Sequence, residues 1–562
     1  MSKFNLTVDP WISVVPLVGE QKEVSMMDLF ENANQYRCLA GETETQDFAV
    51  MRLLLAVLQT VFSRFDAEGN PNPNMELDEY MKQIKELDPD DNQENYEFLD
   101  ETWERLFEKG HFPEIVSKYL KIWHEHFYLL DDKFPFYQVS KQEIYSLLPT
   151  EKGDAVCKGN TYGKTINRLI SESNNKEALF SPVLNSDKRQ KDNMSASELA
   201  RWLITFQGYI GLWDKIKNLV PASVKSSRGW LFDLGGIYLQ GDNLFETLMM
   251  NLILDSKREE DTAPAIQKPC WERTGLEVIT NLRRRKVIDN LAELYTNWSR
   301  LIYIDPSYEL GTPVNIGIAK LPEIEHSDAF LEPMTIWKMN NSGDNKGHFT
   351  PRKHPPEQSL WRSFGMITLK DSDEQHRPEV LNQLERINNV VGSRWITIRA
   401  VSMQDDGNAT SWVPVDEVKD SLNLNDLVIS DQAAGGWVLR LNDIVSVTKD
   451  VIGHVYRAFL KDIEEIRGLS QTNFVIRNLE EAYALIDEPF RNWLESISPA
   501  DSKDNKIAEW KEQLKSLMRN QAQLMIEEAG ARDYKGIIKE DQTINIVTAY
   551  LSFARRLDNK LN

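Results

Sequence analysis

The chain has 562 residues, of which 41% are hydrophobic and 15 are tryptophan, enough apolar mass for about two to four packed domains. Its formal net charge of −22 argues against a protein that coats nucleic acid through a broadly basic surface, and confines any such contact to a local site or to one helped by a partner. No run of 18 or more apolar residues marks a membrane span, MSKFNLTVDPWISVV lacks the apolar core of a signal peptide, and the widely spaced Cys38, Cys157 and Cys270 suit a reducing cytoplasm better than a disulfide framework.

In chain order, LTVDPWISVV alternates and carries β-branched residues, and reads as a strand. Residues 43–65, TETQDFAVMRLLLAVLQTVFSRF, predict a long helix capped by Thr45 and apolar nearly all round from Phe48 to Phe62, hence buried. Residues 66–98 are acidic and rich in Asn and Pro, a surface loop with short helical pieces. FLDETWERLFEKG and FPEIVSKYLKIWHEHFYLLD read as helices. From about 130 to 195 the periodicity fades, and EKGDAVCKGNTYGKT and LNSDKRQKDNMSAS read as loops that are either functional or disordered.

SASELARWLITFQ resumes a helix and runs into TFQGYIGLW (205–213). There Gly208 and Gly211 interrupt a bulky run, which neither a helix nor a strand interior favours. One reading is a helix end, with Gly208 as the C′ residue and Tyr209 and Trp213 packed in the core. The other is a loop whose missing Cβ atoms let the backbone approach a ligand, so that valine at either glycine leaves the fold intact and abolishes binding.

Within GWLFDLGGIYLQGDNLFETLMMNLIL (229–254), residues 235–251 read as a strand, a Gly-Asp turn and a helix. Between 255 and 435 short strands, LIYIDP, PMTIWKM and RWITIRAVSM among them, alternate with loops. Beyond Gly435-Gly436 the residues Val438, Leu441, Val445, Thr448, Ile452, Val455 and Phe459 keep the 3–4 spacing of a bundle seam. Helices near 474–497, 505–529 and 541–558 follow. The pattern predicts an α+β fold, with a large mixed domain at 1–434 and a C-terminal four-helix bundle at 435–562.

No P-loop, HExxH, GxSxG or paired CxxC is present. His124 and His126 stand two apart in a helical pattern and do not share a face. HFTPRKHPP (348–356), with Arg352 and Lys353, reads either as a solvated loop or as one that contacts phosphate. RRRK (283–286) reads either as a solvated helix face or as a nucleic-acid patch. No catalysis, metal or cofactor is expected, although the many acidic residues leave a metal-dependent nuclease open.

Several stretches, in this order, resemble one family. DPWISV, ETQDFAVMRLLLAVLQ, FPFYQV (134–139), residues 229–254 and PCWER (270–274) are similar to CasA, the large subunit of Cascade, the type I-E CRISPR surveillance complex. The most specific piece is GGIYLQGDNLFETLMMN (235–251). The resemblance implies a non-catalytic subunit with an α+β N-terminal domain and a C-terminal bundle. Such a subunit recognises the protospacer-adjacent motif (PAM) in double-stranded target DNA, helps open the duplex for R-loop formation and recruits the CRISPR helicase–nuclease. Its other partners are the crRNA-bearing backbone and small subunits. The resemblance places the family's PAM-reading glycine loop at Gln207, Gly208, Tyr209 and Gly211, and its lysine finger at Lys320. It places the wedge in QDDGNATSW (404–412), with Asn408 or Ala409 where the family has glutamine, and the complex-anchoring loop at Phe180. Arg555 and Arg556 are candidate contacts for a neighbouring subunit or the displaced strand. Two alternatives stay open: a purely structural scaffold, and an unseen metal-dependent nuclease.

Overall fold

A computed structural model describes residues 3–88, 91–161, 165–171, 194–212, 228–254, 265–309, 315–408, 412–469, 472–539 and 542–562. The fold is α+β, and the chain divides into two units. The first comprises Met1–Pro356, Ser372–Gly392 and Ile398–Asp420; the second comprises Glu357–Asp371, Ser393–Thr397 and Ser421–Asn562. The second unit is therefore discontinuous, and its continuous part starts at Ser421, ahead of the glycine pair at 435–436.

The first unit is built around the helix Glu44–Phe62, which is buried on every side because its side chains are apolar on every side. By length and composition alone this helix is apolar enough to cross a membrane, yet 94% of its most apolar stretch is buried in protein. Its cap is Thr43, whose Oγ1 accepts the Gln46 N–H at 3.1 Å. The expected cap, Thr45, sits inside the first turn, where its N–H and hydroxyl both donate to the Glu417 carboxylate, at 3.1 and 3.0 Å. Arg52, in mid-helix, donates from both terminal nitrogens to Glu332 at 2.7 Å. That pair lets a charged residue lie in the middle of the core.

Around this helix the short elements follow the sequence pattern with local departures. The strand Ile12–Pro16 is central in an antiparallel sheet with Lys22–Val24 and Tyr36–Leu39. EKGDAVC, expected as a loop, lies within the helix Thr150–Cys157. Gly153 there packs so closely on Tyr145 that a Cβ would lie 3.0 Å from its ring, so tertiary packing supplies what the weak periodicity does not. Gly235–Gln240 and Leu244–Asn251 form the expected strand and helix. Asn251 locks them together by bonding both the N–H and the C=O of Leu239, at 3.0 and 2.6 Å. A hairpin of Trp395–Asp405 and Pro414–Asn425 extends this strand on one side. On the other side Ile237 N–H donates to Met334 O at 2.8 Å, which brings the Glu332 segment to the sheet edge.

The second unit contains a four-helix bundle: Trp437–Arg467, Phe474–Glu495, Lys503–Glu527 and Ile546–Leu561. The first of these helices contains a π-turn at Val451–Tyr456. Its extra residue rotates the seam, so that Tyr456 is buried where the 3–4 spacing had placed Val455, which is only half-buried. Trp510, fully buried, donates its indole N–H to Thr448 Oγ1 at 2.9 Å and meets Phe490 edge-on at 4.8 Å. The last helix starts later than its apolar pattern suggested. A small hairpin, Ile537–Lys539 with Gln542–Ile544, comes first, and Asn545 caps the helix.

Asp47, in the first turn of the central helix, gives the fold a pH dependence. Its Oδ1 accepts the Gly41 N–H at 2.8 Å. Burial, helped by Glu44 and Glu42, pushes its carboxyl from 3.8 up to about 7. Between these values the folded chain keeps a proton that the unfolded chain has released, so stability falls as pH rises through that window. Melting temperatures between about pH 5 and pH 8 are expected to fall more for the wild type than for Asp47→Asn. Parallel pH profiles would show that Asp47 titrates normally.

Candidate nucleic-acid interface

The helix Ala196–Tyr209 delivers the glycine segment. Ser195 and Glu198 close a capping box at its start. Arg201, buried along the helix, pairs with Glu42 and with Glu23, at 2.5 and 2.7 Å. Gln207, in the last turn of the helix, is an amide clamp. Its Oε1 accepts the N–H groups of Ser299 and Arg300 at 2.9 and 3.0 Å, and its Nε2 donates to Arg300 O at 3.0 Å. Gln207 is 2% exposed and Tyr209 1%. The resemblance assigned both to a ligand-facing loop; here both side chains face the core and anchor the loop instead.

Gly208 lies inside the last helical turn, and Ile210, extended, is the C-cap. Neither Gly208 nor Gly211 has a positive φ, so Gly208 is not a left-handed C′ residue. What requires glycine is the protein's own close approach. A Cβ on Gly208 would lie 2.9 Å from Leu231 Cδ1, one on Gly211 2.0 Å from Trp412 O, and one on Gly229 2.1 Å from Gly208 O. Gly229 N–H also donates to Ile210 O at 2.9 Å. The chain that leaves at Leu212 and the chain that returns at Arg228 are thus joined backbone to backbone at their feet.

Two cations hold the same segment. Arg300 and Lys320 are direct partners in the antiparallel pair of Arg300–Tyr303 with Gly317–Lys320. Arg300 Nη2 donates to Gly211 O at 2.7 Å, and Lys320 Nζ to Leu212 O at 3.0 Å. Arg300 is fully buried, whereas Lys320 is half-buried.

The hairpin brings its turn to this place through Trp412, whose carbonyl abuts Gly211. Gly407 takes a φ of 67°, and Gly407 and Asn408 are exposed at the tip. The turn's two carboxylates are used internally. Asp405 accepts the Gly407 N–H at 2.9 Å and pairs with Lys353 at 2.7 Å, while Asp406 accepts the Asn408 and Val413 N–H groups, both at 3.2 Å. The Arg228 guanidinium lies 5.3 Å over the Trp412 ring and pairs with Asp233 and Glu323, at 2.9 and 3.2 Å. Ala409, Phe180 and Trp213 lie outside the described residues.

The remaining motifs divide. HFTPRKHPP is neither an open loop nor a free basic one: Phe349–Pro351 is a strand, and His354 is buried with Nε2 3.0 Å from Gly236 O. Burial holds the His354 imidazole below its ordinary range. His124 bonds Thr7 at 2.8 Å, and His126 stacks on Phe134 at 4.1 Å, both structural roles. Arg283, Arg284, Arg285 and Lys286 are exposed, as are Arg555 and Arg556. Among the described residues no three His, Cys, Asp or Glu side chains are grouped to hold a metal ion. Sequence reasoning missed Arg228, Gly229 and Arg300, and gave Trp412, the last residue of the wedge stretch, no role of its own. A signal for two of them was present: Gly229 stands alone before the bulky WLF, and Arg300 opens an otherwise apolar strand.

A family model described as CRISPR-associated protein Cse1 matches residues 5–521. The fold is similar to that of Thermobifida fusca Cse1, with a TM-score of 0.76 and 22% identity over 99% of this chain and 98% of the other. It is similar to Thermus thermophilus CasA, at 0.65 and 18% over 100% and 99%. It is also similar to a chain of a CRISPR RNA-guided surveillance complex, at 0.67 and 14% over 99% and 100%. A search of curated proteins returned no significant match.

The glycine contacts predict unequal tolerance. Gly208→Ala gains about 1 kcal/mol of helix propensity and needs only Leu231 to shift. Gly211→Ala meets a backbone carbonyl, and the hairpin turn must move at a cost of about 1–3 kcal/mol. Thermal melting is expected to rank Gly211→Ala clearly below Gly208→Ala; equal melting, or the reverse order, would contradict this packing.

Proposed function

This chain belongs to the CRISPR-associated Cse1 family, and on that premise we propose that it is the non-catalytic large subunit of a type I-E RNA-guided surveillance complex. In that role it acts in the cytoplasm, recognises the PAM in double-stranded target DNA, helps part the duplex and recruits a helicase–nuclease. One observation carries this reading. Elements far apart in sequence, the glycine segment with Gly211 and Leu212, the lysine Lys320 and the hairpin turn at Trp412, meet at one place in the first unit. A chain within an RNA-guided surveillance complex shares the fold, which supports membership of such an assembly.

The chemistry of the place suits a minor groove. Lys320 carries three donors on a flexible stem. It can exchange the Leu212 carbonyl for a base N3 or O2 acceptor without losing a hydrogen bond. Those acceptors look alike in A·T and T·A pairs, so the lysine reads tolerantly. The segment 210–212 is tied down before any ligand arrives, so little ordering entropy is left to binding. At the hairpin, Asp405 and Asp406 are engaged within the turn and with Lys353, which leaves Gly407 and Asn408 as the leading groups toward a duplex. A chain of net charge −22 repels phosphate at long range, so DNA reaches this confined site in the company of crRNA-bearing subunits. Phe180 is proposed as an anchor to those subunits, and Arg555 and Arg556 as contacts to a neighbouring subunit or the displaced strand. A scaffold role would leave Lys320 without effect on DNA choice.

The test is binding of matched and PAM-scrambled duplexes by the reconstituted complex carrying Lys320→Ala. Loss of one charge-assisted hydrogen bond is expected to weaken the matched duplex by about tenfold or more and the scrambled duplex far less. An equal loss on both would make Lys320 a phosphate contact. No loss on either would refute its role in reading.

A further inference from the structure

Cross-strand partners in an antiparallel ladder place their side chains on the same face, about 5 Å apart, where like charges repel. Arg300 and Lys320 occupy such a pair, and each ends on a carbonyl of two consecutive residues, Gly211 and Leu212. The two cations are not equivalent. Arg300 is fully buried and its own backbone is clamped on both its N–H and its C=O by the Gln207 amide, at 3.0 and 3.0 Å. Its Nη1 is also tied to Ser299 O at 2.9 Å. Lys320 is half-buried, on a flexible side chain.

These bonds form a closed ring. Gln207, in the last turn of the helix, holds the Arg300 backbone, and the Arg300 guanidinium reaches back to Gly211, just beyond the end of that helix. The Trp412 carbonyl also abuts Gly211, where a Cβ would lie. The segment is therefore held by two contacts, one from the arginine and one from the hairpin turn. A planar guanidinium with a fixed fork of donors suits such a bond better than an ammonium, because its direction is set once its stem is buried.

We infer that Arg300 is the positioning residue of the PAM-reading segment: it fixes the Gly211 carbonyl, and so the orientation of residues 210–212, while Lys320 is the exchangeable partner that releases Leu212 when DNA binds. This rests on the reading proposed above. Arg300 touches no DNA; it acts through Gly211. Because Gly211 also abuts Trp412, the same bond sets the distance between the reading segment and the hairpin turn.

The experiment uses the reconstituted complex with Arg300→Met, Arg300→Lys or Lys320→Ala. Two quantities are read: the melting temperature of the isolated chain, and the ratio of affinities for matched and PAM-scrambled duplexes. Arg300→Met is expected to lower the ratio by about tenfold, with the loss on the matched duplex, and Arg300→Lys, which retains a cation, to recover part of it. A merely structural arginine would lower the melting temperature while the folded complex kept the wild-type ratio, and that result overturns the inference. Where Arg300→Met does not fold, Arg300→Lys decides by the same ratio: below wild type upholds the inference, and equal to wild type overturns it. If Lys320→Ala loses the ratio and the arginine variants keep it, the reading stands and the inference falls. If the wild-type complex itself does not distinguish the duplexes, both fall.

Discussion

One buried carboxylate holds the first unit together. Glu332, with its side chain fully buried, accepts both terminal nitrogens of Arg52, the Trp230 indole N–H at 2.7 Å and the Met334 N–H at 3.1 Å. It thereby joins the central helix, the sheet edge and the foot of the returning chain beside Gly229. Every lone pair it turns inward has a donor, which is what makes a charge there tolerable. Removing the arginine alone would leave that charge uncompensated, a loss of about 3–5 kcal/mol. His326 completes the anchor by stacking on Trp230 at 4.1 Å. A second pair of the same kind, Arg64 with Glu272 at 2.6 Å, takes a further donor from the Tyr119 hydroxyl at 2.6 Å. The glycine feet can press backbone to backbone because the Glu332 anchor holds Trp230, next to Gly229, against the central helix.

From that anchor the candidate site follows by short steps. Trp230 places Gly229 against Gly208, and Gln207 places Arg300. Arg300 and Lys320 then take the carbonyls of Gly211 and Leu212, and Gly211 meets the hairpin at Trp412. Each step is a hydrogen bond or a contact that a Cβ would fill. A surface assembled this way is rigid before it meets a partner, the arrangement that favours reading a shape over wrapping around it.

The larger elements were legible because apolar periodicity marks them. The central helix, the strand, turn and helix of 235–251 and the bundle helices all show in the spacing of apolar residues. The errors lie where spacing carries no signal. At the helix start the signal is local and lies in residue types other than the apolar ones: Thr43, not Thr45, stands three residues before a Gln, the spacing of a capping box, and Thr45 is instead held by Glu417, hundreds of residues away. The π-turn that exchanges Val455 for Tyr456 adds one residue to a turn without changing its apolar content. At the site, glycine composition correctly signalled a close approach but could not say of what, and the approach is by the chain's own backbone. Arg300 could be noticed as a charge opening an apolar strand, but its role could not be read, because strand register, which sets it opposite Lys320, is a property of pairing that spacing along one strand does not record.

The most direct measurement is selection from a duplex library randomised at the PAM positions by the assembled RNA-guided complex, with and without this chain. The proposed function predicts strong enrichment of a small set of PAM sequences when the chain is present and loss of that enrichment when it is left out. Equal enrichment with and without it would mean that another subunit reads the motif, and would contradict the proposed function at its centre.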